Sequence, residues 1–188
     1  MFKGGFPPFF VLVLEFVQAS YRGGVMMLWK ALIFLGIYAV LHFGYELSGW
    51  EFLKPICGVD ESVFEHLKIG FWAYFFTNII EYFFAKKKHG FWYPRILSTV
   101  LLPWFIVLIW YMLPVFFGHI ESLAVDLSWA FVVTFLAAIL SEIFERNLER
   151  NSIGTDFKTV IVVLFIISII FYTAFSFEKP WIDVFTEH

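Results

Sequence analysis

The stretch TVIVVLFIISIIFYTAF, residues 159–175, indicates the fold class because none of its side chains is charged. A helix of about 20 apolar residues is long enough to cross the hydrocarbon core of a bilayer. That core holds no water to satisfy backbone N–H and C=O groups, so a short crossing segment must be helical. The stretch therefore predicts a transmembrane helix over about residues 157–177.

The apolar character of this stretch extends along the whole chain. Of the 188 residues, 61% are hydrophobic, 23% are aromatic and only 15% are charged. Soluble domains have roughly 45–50% apolar and about 25% charged residues. We therefore predict an all-α integral membrane protein, a bundle of five transmembrane helices plus a short N-terminal helix. The five helices are expected at about residues 26–47, 63–85, 93–117, 121–144 and 157–177.

Residues 1–25 form a separate N-terminal segment in this prediction, and residues 26–188 form the transmembrane domain. The apolar run of the first segment is short and is interrupted by Glu15. Such a segment favours an interfacial or re-entrant helix. The codons of the Gly-Gly-Val triplet before Met26 can also spell a ribosome-binding site, so a start of translation at Met26 is a second hypothesis.

The distribution of Lys and Arg predicts the orientation in the membrane. Basic residues concentrate before or at the start of helix 1, where Lys3, Arg22 and Lys30 lie, between helices 2 and 3, and between helices 4 and 5. Because cytoplasmic loops are enriched in these residues, we expect a multi-pass cell-membrane protein with a cytoplasmic N-terminus and an external C-terminus. The net charge of −3 gives no reason to expect nucleic-acid binding. The expected partners are the lipid bilayer, a lipid or lipid-linked substrate, and further copies of the chain.

Ionisable residues gather where helix 1 ends, helix 2 begins and helix 3 ends, all at the predicted external boundary. Ionisable residues near a membrane core are functional candidates by default. Our candidates for catalysis are His42, Glu46, Glu65, His66 and Lys68. Imidazole and carboxylate ligands suit a zinc-like divalent metal, for which the candidate ligands are His42, His66, His119 and Glu46.

Two other interpretations of this boundary stay open, because the chain contains no complete metal-binding motif. The polar residues form either a metal-free network of histidines and acids with a functional role, or a purely structural cluster. Ser62 and Glu65 fit a capping box, in which the Glu65 carboxylate returns to the Ser62 N–H. Capping explains the acids without any function, but it does not explain His66 and Lys68.

A second polar region is expected near the cytoplasmic side. Small and polar residues at helical spacing run down helix 2 from His66 through Gly70, Tyr74 and Thr77 to Glu81, so this face should point to the bundle interior. An ion path along it would use Thr77, Asn78, Glu81, Arg95 and Glu142. The alternative is an interfacial salt-bridge set that pairs Arg95 with Glu81 or Glu142. Residues 145–150 are interpreted as a solvated helix end with alternating charge.

Three stretches of the chain, LHFGYELSGW (41–50), VDESVFEHLKIGFW (59–72) and IIEYFF (79–84), resemble a family of small, uncharacterised bacterial and archaeal membrane proteins. Its members have a His-x2-Tyr-Glu-x-Ser-Gly helix end, an Asn-Glu-Ser-x2-Glu-His-x-Lys segment and a later Glu-Tyr pair. This chain departs from the pattern at Asp60. The resemblance implies that the site lies among His42, Tyr45, Glu46, Ser48, Gly49, Glu61, Ser62, Glu65, His66, Lys68, Glu81 and Tyr82.

Three classes of function are compatible with the sequence. The one that we favour is a membrane-embedded hydrolase or transferase acting on a lipid-like substrate at the external face. Its histidines would hold a metal or act as bases, Glu46 and Glu65 would orient them, and Lys68 would bind an oxyanion. The alternatives are a channel or transporter for protons or small ions, and a non-catalytic accessory or structural membrane subunit.

Overall fold

The computed structural model of the chain describes residues 8–84, 90–118 and 122–185, in which all the regular elements are helices and none is a strand. The five long helices are α1 Pro8–Ser48, α2 Val63–Phe84, α3 Trp92–Phe117, α4 Leu123–Glu149 and α5 Thr155–Phe175. Two single-turn 3₁₀-helices lie at Glu51–Leu53, before α2, and at Asp183–Phe185, after α5. The all-helical prediction is confirmed.

Four of the helices are long and apolar enough to cross a membrane. The four spans are Met26–Ser48 in α1, Trp92–Met112 in α3, Ala124–Glu149 in α4 and Thr155–Phe175 in α5. Helix α2 has 22 residues and is about 33 Å long, but polar side chains such as Lys68 and Asn78 interrupt its apolar sequence. A helical, membrane-compatible chain is therefore established, whereas a membrane crossing by α2 stays a prediction.

Helix α1 runs without a break through the boundary predicted near residue 25. It has 41 residues and is about 60 Å long, roughly twice the thickness of the hydrocarbon core. The separate N-terminal helix predicted for residues 1–25 is therefore not confirmed, because residues 8–25 extend α1. Residues 1–7 lie outside the described part of the chain.

The polar helix α2 lies inside the bundle, and the apolar helices surround it. It packs against α1 and α3, and its aromatic residues also contact α5. The main core is formed by α1 to α4 and includes Phe34, Ala73, Tyr74, Leu102 and Val133. A second, aromatic core joins α2 to α5 and to the chain after it, through Phe64, Phe71, Tyr172 and Phe185. The polar face of α2 is thus buried, as its spacing predicts.

The middle of the bundle separates two polar regions that lie at opposite ends of α2. Gly70 marks this middle layer, where helices α2 and α3 approach closely. A Cβ atom at Gly70 would lie 2.9 Å from Ile106 Cδ1 and 3.2 Å from Leu102 Cδ2. The residues that fill this layer are apolar and closely packed, so the two polar regions are built independently.

Candidate functional site

His42, Glu61 and His66 meet at the end of the bundle where α1 ends and α2 begins, and we call them the histidine cluster. Glu61 Oε2 lies 3.4 Å from His66 Nε2 and 3.8 Å from His42 Nε2. The two imidazole ring centroids are 5.3 Å apart, with the ring planes at 87°. A tetrahedral ion with bonds of about 2.1 Å holds its ligand atoms about 3.4 Å apart. Both distances to Glu61 therefore lie at or slightly above that spacing.

The hydrogen bond of His66 on its other side fixes the tautomer of the ring. His66 Nδ1 lies 3.0 Å from the backbone oxygen of Ser62. Because a carbonyl oxygen only accepts hydrogen bonds, Nδ1 carries a proton and donates it. In the neutral ring, Nε2 then presents a lone pair to the Glu61 carboxylate. Two lone pairs at this distance repel each other unless a proton or a cation lies between them.

The loop between α1 and α2 carries Glu61 to the histidines because it folds back over the end of α1. The Gly58 N–H donates to the Leu41 carbonyl oxygen at 3.0 Å. A Cβ atom at Gly58 would lie 2.8 Å from Ile69 Cδ1 and 3.3 Å from the backbone oxygen of His42. A side chain at this position would require Ile69 and the His42 backbone to shift, so glycine favours the close approach of the loop to His42.

Glu65 and Lys68 form a fully buried ion pair directly below the histidine cluster. The Lys68 ammonium lies 2.6 Å from Glu65 Oε2, 2.6 Å from the Lys54 carbonyl oxygen and 3.1 Å from Ser176 Oγ. An ammonium group has three protons to donate, and each has an acceptor here. This arrangement favours a structural role for Lys68 over the predicted binding of an oxyanion.

The predicted capping box at the start of α2 does not form. The Ser62 N–H donates instead to Asp60 Oδ1 at 3.0 Å, and the Glu65 carboxylate accepts from the Val59 N–H at 2.9 Å. Glu65 therefore reaches further back along the chain than a capping box requires. Both bonds hold the loop residues that flank Glu61.

Lys179, in the segment after α5, bridges this loop and α2. Its ammonium pairs with Asp60 and lies 3.0 Å from Glu65 Oε1. Burial raises the pKa of the Asp60 carboxyl, but hydrogen bonds from Lys179 and Ser62 outweigh burial and hold that pKa below its usual value. Burial likewise lowers the pKa of Lys179, but Asp60 and Glu65 outweigh it and raise that pKa. The bridge is therefore ionised at neutral pH.

The structure brings together two of the predicted metal ligands, His42 and His66. Glu46 is exposed, and it makes no hydrogen bond or ion pair with the residues that the structure describes. The acid that lies beside the two histidines is Glu61, whereas the sequence pattern suggests Glu46. The prediction for His119 falls outside the described residues.

A second polar group lies at the other end of the bundle, and we call it the lysine network: Lys30, Glu81, Arg95, Glu142 and Glu145. The Lys30 ammonium lies 2.7 Å from Glu81, 2.9 Å from Glu142 and 2.5 Å from Glu145. The Tyr74 hydroxyl donates to the second oxygen of Glu145 at 2.8 Å. Each ammonium proton of Lys30 therefore has its own carboxylate.

Arg95 and Arg146 complete the pairing of these acids. Arg95 Nη2 lies 2.6 Å from Glu81 Oε1, and Arg95 Nη1 pairs with Glu149. Arg146 Nε lies 2.8 Å from Glu142 Oε1. The structure thus contains the salt bridge between Arg95 and Glu81, one of the two pairings given for the interfacial salt-bridge set, and both oxygens of Glu81 and of Glu142 face a cation.

The other two residues of the predicted ion path are held by local bonds. Thr77 Oγ1 donates to the Ala73 carbonyl oxygen at 2.8 Å within α2. Asn78 Nδ2 donates to Thr99 Oγ1 at 3.1 Å and so links α2 to α3. Thr77 and Asn78 are buried at the interior face of α2, as predicted, and their bonds contribute to helix packing.

Sequence reasoning missed two central members of the lysine network. Glu145 is completely buried, although the residues from 145 to 150 were interpreted as a solvated helix end. Lys30 is 7% exposed, although it was considered only as a topology signal. A signal was present in both cases, because Lys30 lies inside an apolar span and Glu145 is one turn from Glu142 on the same face.

Comparison with known proteins gives a family but no activity. The sequence model described as "Family of unknown function (DUF6512)" matches residues 20–188. This match extends far beyond the motif-bearing stretches that the sequence analysis used. No curated protein and no solved structure matches the chain.

Proposed function

Because the chain belongs to this family of unknown function, we propose an activity from the geometry of its histidine cluster. The proposed function is that of a membrane-embedded hydrolase in which His42, Glu61 and His66 hold a zinc-like ion. The substrate is a lipid ester at the external leaflet. Transfer of the acyl group to an acceptor other than water is the closely related alternative at the same site.

The contact of His66 Nδ1 with the Ser62 carbonyl oxygen is the observation that carries this proposal. Ser62 fixes the proton on Nδ1, which directs the Nε2 lone pair at the Glu61 carboxylate. Metal-binding histidines commonly use one ring nitrogen as ligand while the other donates to a carbonyl or carboxylate group. A divalent cation between Nε2 and Glu61 would turn a repulsive contact into two bonds, and His42 Nε2 would supply a third.

Two imidazoles and one carboxylate are a ligand set of catalytic zinc, which leaves a position for water. Zinc lowers the pKa of that water to about 7. In the proposed hydrolysis, the water supplies its hydroxyl to the acyl carbon and its remaining proton to the alkoxy oxygen as the ester bond breaks. The products are a carboxylic acid and an alcohol.

Exposed apolar side chains around the histidine cluster support a lipid substrate. Phe43 stacks on the His42 ring at 4.8 Å between centroids and is itself exposed. Leu47, Trp50 and Phe52 continue this apolar surface into the loop, with exposures of 84%, 59% and 67%. Trp residues typically lie at the membrane–water interface. A lipid headgroup in the bilayer would therefore meet the cluster from the side.

The packed layer at Gly70 makes an ion path the weaker alternative. Ile106 and Leu102 fill the space beside Gly70, and the hydroxyl and amide groups further along α2 are engaged in bonds within and between helices. A conducting path needs polar groups that face water. We expect vesicles containing the protein to show no more proton or sodium flux than vesicles without it.

The proposal is tested by the metal content of the purified protein, measured by mass spectrometry. We expect about one zinc per chain in the wild type. His42→Ala, His66→Ala and Glu61→Gln should each lose the metal. Glu46→Gln is the matched control, because Glu46 is an exposed acid one turn from His42, and it should keep the metal.

Activity is then measured as fatty-acid release from phospholipid vesicles. We expect release that requires zinc and is abolished in Glu61→Gln but kept in Glu46→Gln. A wild type that binds no divalent metal contradicts the proposal. Loss of metal in Glu46→Gln together with retention in Glu61→Gln would show that the third ligand is assigned wrongly.

A further inference from the structure

We propose that Lys179 is a positioning residue that sets the metal affinity of the histidine cluster without touching it. It lies in the segment of residues 176–185, which we call the C-terminal strap. The inference rests on the proposed function, because it concerns how well the same three ligands hold an ion. In this proposal, the C-terminal strap controls how tightly the histidine cluster binds a metal ion.

The C-terminal strap is docked on α2 by several independent contacts. Ser176 Oγ accepts a hydrogen bond from Lys68 at 3.1 Å. The Phe185 ring lies 4.6 Å from the Phe64 ring between centroids and 5.3 Å from that of Phe175. These contacts fix the path of the strap on both sides of Lys179, so the Lys179 ammonium has a defined position.

Lys179 joins the chain neighbours of two proposed ligands. Its ammonium pairs with Asp60, which precedes Glu61, and it lies 3.0 Å from Glu65, which precedes His66. One cation therefore links the loop that carries the carboxylate ligand to the helix that carries an imidazole ligand. Residues that support metal ligands in this way typically change metal affinity by about 10- to 100-fold when they are replaced.

Replacement of Lys179 should move the loop rather than unfold the protein. Glu65 keeps the buried ammonium of Lys68, which lies 2.6 Å away. Asp60 keeps the Ser62 N–H at 3.0 Å but loses its cation. The contact that disappears is thus the one between α2 and the residue next to Glu61, and the distance from Glu61 to His66 should become less defined.

The test is the zinc dissociation constant of the full-length protein in detergent, determined by competition with a chelating dye. We expect Lys179→Met to weaken zinc binding by about 10- to 100-fold, and Lys179→Arg to restore most of the affinity. Lys54→Met is the matched control, because Lys54 pairs with Glu51 in the same loop away from the cluster. It should bind zinc as the wild type does.

Two further measurements separate positioning from a general loss of structure. Asp60→Asn should weaken binding to a similar extent, and the double variant Asp60→Asn with Lys179→Met should be no weaker than either single variant, because the two residues act as one unit. Cobalt in place of zinc should give a visible absorption spectrum that changes in Lys179→Met but not in Lys54→Met, because that spectrum reports ligand geometry.

The outcomes distinguish this inference from the proposed function. Zinc binding by the wild type, with unchanged affinity in Lys179→Met and Asp60→Asn, would overturn the inference and leave the proposed function standing. A wild type without zinc or cobalt binding would overturn both.

Discussion

The lysine network and the histidine cluster are both polar groups in an apolar bundle, but they differ in how their acids are neutralised. In the lysine network, permanent cations and one tyrosine reach every oxygen of Glu81, Glu142 and Glu145. In the histidine cluster, Glu61 faces two imidazoles, whose charge depends on a proton. The acids of the first group face lysine and arginine side chains, whereas the imidazoles beside Glu61 are positively charged only when they are protonated.

Exposure follows the same division between the two groups. The side chains of Lys30, Glu142 and Glu145 are at most 7% exposed, whereas those of His42 and His66 are 22% and 31% exposed. A buried network whose carboxylate oxygens all face a cation or a hydroxyl group holds helices together. A half-exposed cluster in which two ring nitrogens and a carboxylate converge is suited to bind an ion. We therefore expect the lysine network to stabilise one end of the bundle and the histidine cluster to carry the chemistry at the other end.

The largest effect that would sharpen this comparison is expected for Lys30→Met. It leaves three converging carboxylates without their shared cation, and breaking a buried ion pair costs about 3–5 kcal/mol. The measurement is unfolding in mixed detergent micelles, followed by the helical circular dichroism signal. Lys54→Met, which removes a partly exposed lysine that pairs with Glu51, is the control and should unfold like the wild type.

Zinc affinity should be unchanged in Lys30→Met at temperatures where it remains folded. Adding Glu145→Gln should recover part of the lost stability, because it removes one of the repelling charges. If Lys30→Met is as stable as the wild type, or if the folded variant loses zinc, the two polar groups do not have separate roles in stability and metal binding.

The next effect is expected for Lys68→Met, which removes the buried cation beneath the histidine cluster. Lys179 still faces Glu65, so the loss of stability should lie near the low end for a broken buried pair, about 3 kcal/mol. The same unfolding measurement applies. If Lys68 instead binds substrate, the variant should unfold like the wild type but lose activity on lipid vesicles.

A smaller effect is expected for Gly70→Ala, which tests the separating layer between the two ends. The added methyl group lies 2.9 Å from Ile106 Cδ1 and 3.2 Å from Leu102 Cδ2, so these side-chain ends must shift, and the cost should lie near the low end for overpacking, about 1 kcal/mol. Gly36→Ala is the matched control, since a Cβ atom there has no neighbour within 4 Å. The control should be neutral or slightly stabilising. Equal stability of the two variants would mean that the layer is loosely packed.

The smallest effect concerns pH and the bridge between Asp60 and Lys179. Because folding lowers the pKa of Asp60 from 3.8, its ion pair stabilises the folded state above that pH and is lost as the pH falls through the lower folded-state pKa. Metal-free Asp60→Asn should therefore be less stable than the metal-free wild type near neutral pH, by about 1 kcal/mol or less for this partly exposed pair. The difference should disappear in strong acid. A difference that persists there would point to a cause other than the charge.

The helices and the interior face of α2 could be predicted because they depend on local sequence. Long apolar runs between polar breaks gave boundaries close to those of α2, α3 and α5. The spacing of Gly70, Tyr74 and Thr77 placed these residues on one face, and all three are buried. The extension of α1 to Pro8 was missed because Glu15 interrupts the apolar run, yet a charged residue does not prevent a helix from continuing.

The composition of the two polar groups could be predicted only in part, because it depends on contacts distant in sequence. The spacing of His42 and Glu46 suggested Glu46 as the partner of His42, whereas Glu61 lies beside both imidazoles, because the return of the loop through the Gly58 N–H bond to Leu41 has no periodic signal. Lys30 and Glu145 are 115 positions apart, and no local pattern connects them. The family resemblance marked Glu61 as a motif residue but gave it no partner.

The wide sequence separation within the lysine network has a consequence for biosynthesis. Lys30 leaves the ribosome long before Glu142 and Glu145, so the predicted insertion of α1 into a membrane would precede the synthesis of most of its neutralising partners. Lys30 lies within the apolar span Met26–Ser48, where an ionisable side chain is favoured only when it has a partner. In a chain that ends before α4, the Lys30 ammonium can pair only with Glu81 among its three acids. Such a fragment should be unstable in a bilayer. Synthesis of α4 is therefore the step that should stabilise α1 in the membrane.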